Sequence, residues 1–208
     1  MSQKHLARLL QKLKEFEKPK IKLEQYTTNA DVAAELLWSL NLRGHIQNKT
    51  IIDLGAGTGT LGIGSLLLGA KKVIFLEKDE DAIKTLKENL EQLEKEYELP
   101  KYEIISSDVT NAEGEFDLAI MNPPFGTKIK KIDTLFIDIA TKLTKNILSI
   151  HKTITKEHIQ KTYLEHNYKI IDIFNFKYSL KKTQDHHEKK VKIIEVSAFF
   201  TQKNNKIN

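Results

Sequence analysis

Residues 50–68 read TIIDLGAGTGTLGIGSLLL, in which an apolar strand pattern runs into a glycine-rich turn and then into an apolar helix pattern. Glycines at such a turn let the backbone bend sharply and approach a ligand closely at a helix N-terminus. The order of strand, turn and helix favours an α/β fold around a parallel sheet. Residues 57–62 also satisfy the pattern G-x-G-x-x-G, so a nicotinamide-dependent oxidoreductase stays open at this point.

The next three apolar strand patterns are each followed by a polar side chain, namely Glu77, Asp108 and Asn122. Ligands of an open α/β sheet bind outside the carboxyl ends of the strands, so these side chains are expected to line one crevice beside the glycine turn. Glu77 is placed to bind ribose hydroxyls, and Asp108 to accept a hydrogen bond from an adenine amino group. The series describes a nucleoside cofactor next to a second substrate at Asn122, with no evident partner for hydride transfer.

Asn122 begins the motif Asn122-Pro123-Pro124-Phe125, which we predict to be catalytic. Each proline fixes φ near −65° and lacks an N–H, so the loop is stiff and its carbonyl groups are not used in local turns. The Asn122 side-chain oxygen and the Pro123 carbonyl can both accept from an amino group, while Phe125 offers a face on which a ring can stack. This arrangement suits a planar substrate that carries an amine.

Together these motifs resemble the class I S-adenosylmethionine-dependent methyltransferases that methylate amino groups. The chain is most similar, over residues 23–200, to the methyltransferase-like protein 5 family of ribosomal RNA adenine-N6 methyltransferases, and we expect an archaeal member. The four-residue motif alone is shared with DNA adenine, guanine-N2 and glutamine methyltransferases. Its extension by Gly126-Thr127-Lys128 and the segment Glu24-Gln25-Tyr26 indicate this family, and Asp53-Leu54-Gly55 and Ser149-Ile150-His151-Lys152 agree with it.

The resemblance implies a single Rossmann-like class I methyltransferase domain, with a seven-stranded, mostly parallel sheet, a C-terminal antiparallel hairpin and N-terminal helices. Residues 1–22 are then a basic helical extension, 23–200 the methyltransferase domain, and 201–208 a polar tail. The implied activity is N6-methylation of an adenosine in RNA, with small-subunit ribosomal RNA as the expected substrate. A guanine-N2 RNA methyltransferase, a glutamine methyltransferase and a catalytically silent RNA-binding scaffold stay open as alternatives.

S-adenosylmethionine is the cofactor that the resemblance implies, and no metal is expected. By position, the cofactor-binding residues are Gln25, Thr28, Asp53, Gly55, Thr58, Gly59, Thr60, Glu77 and Asp108. Glu77 stands where Asp is commoner in the family, which lengthens the acid by one methylene. Family members also work with a small zinc-binding activator protein that pairs along an exposed sheet edge, here expected to be the strand at 101–106.

Basic residues cluster in the segments 1–22, 126–131 and 177–190, whereas 80–98 is acidic; the whole chain has a net charge of +5. The basic segments are expected to surround a cleft that accepts phosphates. The RNA-binding candidates are Lys128, Lys130, Lys131, Lys181, Lys182, Lys189 and Lys190. Adjacent His186 and His187 are interpreted as solvated, and His151 as structural or in contact with the substrate.

Composition excludes several classes of protein. The 208 residues are 40% hydrophobic and 29% charged, as in a soluble globular domain. No apolar run approaches the roughly 20 residues that cross a bilayer, and no secretory signal is evident. Without cysteine the chain forms neither a disulfide nor a thiolate zinc site. A cytoplasmic location is therefore expected.

Apolar residues recur with helical or alternating spacing along the chain. Helices are expected at 4–17, 30–40, 61–68, 81–97, 132–143 and 156–166. Strands are expected at 50–54, 73–76, 102–105, 116–121, 146–150, 168–176 and 191–200. The last two strands form the antiparallel hairpin, and their connection, 177–190, is long enough to suggest a function of its own.

Overall fold

The structure is a computed structural model that describes residues 1–17, 19–20, 25, 27–124, 132–180 and 192–204, apart from the side chains of 178–180 and 192–193. The helices are α1 (Gln3–Leu10), α2 (Ala30–Leu42), α3 (Thr60–Leu67), α4 (Glu80–Glu94), α5 (Ile132–Leu143) and α6 (Lys156–Glu165). The strands are β1 (Thr50–Leu54), β2 (Lys72–Glu77), β3 (Lys101–Ser106), β4 (Leu118–Met121), β5 (Asn146–Lys152), β6 (Tyr168–Leu180) and β7 (Lys192–Lys203).

These strands form one sheet in the order β3-β2-β1-β4-β5-β7-β6. The first five are parallel, and β7 pairs antiparallel with both β5 and β6. Because β1 to β5 are parallel, their carboxyl ends meet at one edge of the sheet. The predicted α/β domain, a mostly parallel seven-stranded sheet with a C-terminal antiparallel hairpin, is confirmed.

Apolar side chains cover both faces of the sheet. One cluster packs helices α1 to α4 against it, with Leu10, Leu37 and Leu90 among its members, and the other contains Ile137 of α5 and Tyr163 of α6. Strands buried on both faces have nearly continuous apolar sequences, which explains why β1, β2 and β4 lack polar alternation.

Two side-chain caps determine where helices α2 and α4 begin. Asn29 Oδ1 accepts hydrogen bonds from the backbone N–H groups of Asp31 at 3.0 Å and Val32 at 3.2 Å, which starts α2 as the sequence predicts. Asp79 Oδ1 accepts from the N–H of Ala82 at 3.1 Å and starts α4 directly after β2.

The N-terminal segment differs from expectation. Helix α1 ends at Leu10 although helical spacing extends to residue 17, because the Lys14 backbone bonds to the side chain of Asn89 instead of continuing the helix. Leu6 and Leu10 lie in the core. The predicted extension 1–22 therefore begins with a helix that is packed into the domain.

The C-terminal hairpin is longer than predicted. Strand β7 continues to Lys203, and the fully buried Thr201 pairs with Ile147 and Ile170, so the predicted tail 201–208 begins inside the sheet. Residues 177–180 also pair with β7, which shortens the predicted connection 177–190. Backbone pairing extends these strands past their apolar residues, since ladder hydrogen bonds do not depend on side-chain polarity. The other predicted elements agree to within three residues at each end.

Candidate active site

A cleft lies at the carboxyl ends of β1, β2 and β4, beside the glycine turn. Ten of the predicted site residues line it: Gln25, Thr28, Asp53, Gly55, Thr58, Thr60, Glu77, Asp108, Asn122 and Pro124. Gly59 and Pro123 are not part of the described lining, and Phe125 lies outside the described residues. The crevice at the strand ends that the sequence predicts is therefore present.

All three glycines of the turn have left-handed backbone conformations, with φ of 69° at Gly55, 57° at Gly57 and 92° at Gly59. A Cβ on Gly57 would lie 3.0 Å from Cζ of Phe16, and one on Gly59 would lie 2.3 Å from Cδ1 of Leu86. The Gly59 N–H donates to the carbonyl of Ala56 at 2.9 Å. Gly59 thus packs closely against α4, and its predicted contact with the cofactor stays a prediction.

Glu77, at the end of β2, is held in place by backbone groups. Its Oε2 accepts from the N–H of Gly57 at 2.8 Å, and its Oε1 accepts from those of Lys78 at 2.8 Å and Asp79 at 2.9 Å. A carboxylate has about four acceptor sites, so these three bonds leave one for a ribose hydroxyl. Glu77 therefore both fixes the glycine turn and retains the capacity for its predicted role.

Asp108 lies just beyond β3 and is also partly engaged. Its Oδ1 accepts from the N–H and the hydroxyl of Thr110 at 3.1 and 2.9 Å, and its Oδ2 pairs with Lys78 Nζ at 3.0 Å. The backbone bond from Thr110, followed by the bond from Lys78, lowers the pKa of Asp108 below its ordinary value. The group is thus a carboxylate that can accept from an amino group in the cleft.

Asp53 forms part of the floor of the cleft and is only 2% exposed. Its Oδ2 accepts from the N–H of Gly62 at 2.8 Å, which joins the end of β1 to the first turn of α3. Burial raises the pKa of Asp53 to about 7, although the Gly62 bond opposes the shift. A side chain on Gly62 would collide with this carboxylate and with Phe75.

Asn122, at the end of β4, borders the cleft with a fixed amide group. Its Nδ2 donates to the Thr28 hydroxyl oxygen at 2.9 Å. Its Oδ1 is buried and has no hydrogen-bond partner among the residues that the structure describes. Buried polar atoms normally have partners, so this exception needs an explanation. The amide therefore presents an unused acceptor at the predicted catalytic position.

Several lining residues were not predicted from the sequence: Phe16, Thr27, Ala56, Gly57, Leu61, Leu76, Lys78, Ser107, Val109, Ile132, Leu135 and Phe136. Most of them are sequence neighbours of predicted site residues, and this adjacency could have identified them. Phe16 is different, because it lies far from every motif. Its only signal was its position as a lone aromatic residue in the charged run 14–18.

The basic N-terminal segment is partly neutralised by the acidic helix α4. Lys14 Nζ pairs with Glu88 at 2.8 Å, and Lys20 Nζ pairs with Asp79 and, at 2.7 Å, with Asp81. These two lysines are thus not free phosphate ligands, contrary to the expectation for residues 1–22. The seven predicted RNA-binding lysines, Lys128, Lys130, Lys131, Lys181, Lys182, Lys189 and Lys190, lie outside the described residues.

His151, whose role the sequence left open, is 1% exposed at the end of β5. Its ring packs edge-on against Phe199, with centroids 5.9 Å apart, and burial lowers its pKa to about 3. The imidazole is therefore neutral near pH 7. This environment gives His151 a packing role and no affinity for a proton at that pH.

Within the described ranges there is no group of three His, Cys, Asp or Glu side chains that could hold a metal ion; His186, His187 and Glu188 lie outside those ranges. No helix in the same part of the chain is long and apolar enough to span a membrane.

The strand order, the helices on both faces and the glycine turn at the carboxyl edge define a class I methyltransferase fold. The magnesium protoporphyrin IX methyltransferase of Synechocystis PCC 6803, solved with bound S-adenosylmethionine, has the same fold at 12% identity, with a TM-score of 0.64 over 83% of this chain and 78% of that one. The Pyrococcus horikoshii protein PH1948 aligns with a TM-score of 0.88 and 38% identity, covering 98% of both chains.

Sequence comparison narrows this class to a family. The family model Conserved hypothetical protein 95 matches residues 28–183. The rRNA N(6)-adenosine-methyltransferase METTL5 of Danio rerio is 38% identical, over 94% of this chain and 96% of the relative. The corresponding Mettl5 of Drosophila melanogaster is 36% identical, over 92% of each. The chain belongs to the methyltransferase-like protein 5 family, as its motifs predicted.

Proposed function

We propose that this protein transfers the methyl group of S-adenosylmethionine to the exocyclic N6 of an adenosine in ribosomal RNA, with the small-subunit RNA as its substrate. The observation that carries the proposal is the buried, unpartnered Oδ1 of Asn122 beside the cleft. An adenosine N6 amino group is a donor that would satisfy this acceptor. The METTL5 relatives, which are named as rRNA N(6)-adenosine-methyltransferases, support ribosomal RNA and the N6 position.

The residues of the cleft fit S-adenosylmethionine. Glu77 retains an acceptor site for a ribose hydroxyl, and the ionised Asp108 can accept from the adenine amino group. Val109 and Leu135 contribute apolar surface, which suits the faces of an adenine ring. When bound, the cofactor supplies an activated methyl group on a sulfonium.

Groups of the protein have to make the adenine N6 nitrogen more nucleophilic. The N6 lone pair of adenine is delocalised into the ring, which makes the amine a poor nucleophile. Hydrogen bonds from N6 to Asn122 Oδ1 and to the Pro123 carbonyl would favour a pyramidal nitrogen and localise that lone pair. Alignment of the nitrogen with the methyl group then provides much of the rate acceleration.

Strong acid–base catalysis is not required by this scheme. After methyl transfer, the nitrogen is cationic and strongly acidic, so a neutral amide such as Asn122 is a sufficient first acceptor. His151 is not needed as a base, and its lowered pKa makes it unsuited to that role. The adenine has to leave its stack to reach the cleft, at a cost of a few kcal/mol that is smallest for an unpaired nucleotide. An unpaired or flipped adenosine is therefore the proposed target.

We also propose the zinc-binding activator protein as a partner at β3. This strand forms the edge of the sheet and pairs only with β2 in the described chain. Ile105 on β3 is 37% exposed, and an apolar edge with unpaired backbone groups is a template for strand addition. The chain has no cysteine, so a thiolate-bound zinc ion would be contributed by the partner. A cytoplasmic location accompanies the proposal, because ribosomal subunits work there.

The activity is tested by mass-spectrometric nucleoside analysis of ribosomal RNA from cells that contain the wild-type protein or only Asn122→Ala. We expect N6-methyladenosine at one small-subunit position in the wild type and its loss in the variant, whose affinity for S-adenosylmethionine should stay within a few-fold. Loss of N2-methylguanosine instead would establish a guanine-N2 RNA methyltransferase. Loss of methylglutamine from proteins would establish a glutamine methyltransferase. Cofactor binding and RNA methylation unchanged in Asn122→Ala would refute the acceptor role.

The partner is tested by purifying the tagged chain from its own source and measuring zinc and subunit stoichiometry. We expect a small zinc protein in a 1:1 complex that is lost in Ile105→Lys, since a charge on the edge strand opposes strand addition. Leu164→Lys is the matched control, because Leu164 is also exposed but lies on α6. A chain that is monomeric and fully active on its RNA would contradict the need for a partner.

A further inference from the structure

Residues 14–17, 19 and 20 form a strap between α1 and the cleft. One fully buried side chain, Asn89 of α4, fastens its first residue: Oδ1 accepts from the N–H of Lys14 at 2.8 Å, and Nδ2 donates to the Lys14 carbonyl at 3.1 Å. The same Nδ2 donates to the carbonyl of Thr58 at 3.0 Å. A single amide therefore joins the strap, the helix and the glycine turn.

The other end of the strap is also fastened beside the cleft. Lys20 pairs with Asp79 and Asp81 at the start of α4, and these bonds raise the pKa of its ammonium group. The backbone N–H of Lys20 donates to Gln25 Oε1 at 2.8 Å, and Gln25 lines the cleft. Both ends of the strap are thus attached to groups that surround the cleft.

Phe16 lies between these two attachments. Its ring lines the cleft, and its Cζ is 3.0 Å from the position that a Cβ on Gly57 would occupy. Gly57 is the residue whose N–H binds Glu77, so the ring borders the part of the cleft next to the proposed ribose contact. Phe16 is not among the described members of either apolar core cluster. Its position is therefore explained by the cleft and not by the core.

We infer that Phe16 contacts the bound cofactor and that Asn89 is a positioning residue that holds the Phe16 ring over it. This inference rests on the proposed function, because it takes S-adenosylmethionine as the ligand. The strap carries no group that takes part in methyl transfer. Its effect is expected on the dissociation of S-adenosylmethionine and of S-adenosylhomocysteine.

The test measures cofactor binding by the full chain without RNA, using calorimetry for Kd and stopped-flow fluorescence for dissociation. Phe16→Ala should raise Kd about tenfold for both ligands, since part of the buried apolar surface of the ring is lost, and most of the change should appear as faster dissociation. Phe16→Tyr should restore most of the affinity.

Leu13→Ala is the matched control, since Leu13 directly precedes the strap and packs against the core without lining the cleft. Asn89→Asp places an oxygen against the carbonyls of Lys14 and Thr58 and should accelerate dissociation as Phe16→Ala does; its melting temperature shows whether the fold is retained. Unchanged binding in Phe16→Ala, or an equal loss in Leu13→Ala, would overturn the inference and leave the proposed function intact. A wild-type chain that binds neither ligand would overturn both.

Discussion

Asn122 Nδ2 donates a hydrogen bond to the hydroxyl oxygen of Thr28 at 2.9 Å, and Oδ1 of the same amide is left without a partner among the described residues. Nδ2 is held by Thr28, so Oδ1 is the atom left to accept. Thr28 was predicted as a cofactor ligand. In the structure its hydroxyl oxygen also binds the amide of Asn122, the proposed catalytic residue.

Removing the hydroxyl should therefore impair catalysis more than binding. Thr28→Val should slow single-turnover methyl transfer about fivefold, as expected for the loss of one orienting hydrogen bond of about 1 kcal/mol. Thr28→Ser keeps the hydroxyl and should remain close to wild type. Equal single-turnover rates for Thr28→Val and wild type would show that the amide is oriented without Thr28.

Glu77 is expected to determine cofactor affinity. Glu77→Ala should weaken binding by ~1–3 kcal/mol, because a charged hydrogen-bonding group is lost and the N–H of Gly57 loses its acceptor. Isothermal calorimetry with S-adenosylmethionine measures the change. Glu80→Ala, three residues further along and exposed, is the control and should bind as wild type. Unchanged affinity in Glu77→Ala would refute the ribose assignment.

Asp53 predicts a specific pH dependence of stability. A carboxyl whose pKa is raised to about 7 in the folded chain stabilises the fold in its protonated form, so this contribution is present below about pH 4 and is lost as the pH rises to about 7. Asp53→Asn cannot ionise and retains an oxygen for Gly62. Relative to wild type, its free energy of unfolding should rise between pH 4 and 7, by at most ~1.4 kcal/mol per pH unit, and then level off. Urea unfolding of both proteins across this pH range measures the change. A difference in unfolding free energy that does not depend on pH would contradict the prediction.

The lysines after the catalytic motif are predicted to contact RNA. Replacing Lys128, Lys130 and Lys131 with Gln should lower RNA affinity and reduce its salt dependence by up to about three phosphate contacts. The matched control replaces Lys84, Lys87 and Lys95, which lie on or just after α4 in an acidic segment. Binding titrations at several salt concentrations measure both sets. Similar losses in the two sets would mean that these basic residues do not mark the RNA-binding face.

The strand ends of the cleft were predictable because their signals are local. Asp53, Glu77 and Asn122 each follow an apolar run directly, and parallel strands bring such ends to one edge whatever the loops between them do. The close packing of Gly59 against α4 was not predictable, since its neighbour Leu86 belongs to a helix more than 20 residues away. Motif position alone does not distinguish a glycine that faces a ligand from one that faces a helix.

The strap was missed for a related reason. Leu6, Leu9, Leu10 and Leu13 have helical spacing, and nothing near Lys14 indicates that its backbone bonds to Asn89, 75 residues away. Charge patterning was misleading in the same region, because it showed basic and acidic segments but not that Lys14 and Lys20 pair with α4. Long-range side-chain contacts of this kind leave no periodic signal in the sequence.

The position of β7 between β5 and β6 sets the order in which a nascent chain can complete its fold. Chains fold from the N-terminus as they leave the ribosome, so the strands that lead to Glu77, Asp108 and Asn122 can pair early. β6 cannot join them when it emerges, since its neighbour in the sheet is β7, which is synthesised after it. Until β7 is synthesised, β5 is an open edge and β6 has no partner in the described sheet. Translational pausing between β6 and β7 should therefore leave a chain in which the strands beside the cleft are already paired. Such a chain still exposes the aggregation-prone edge of β5.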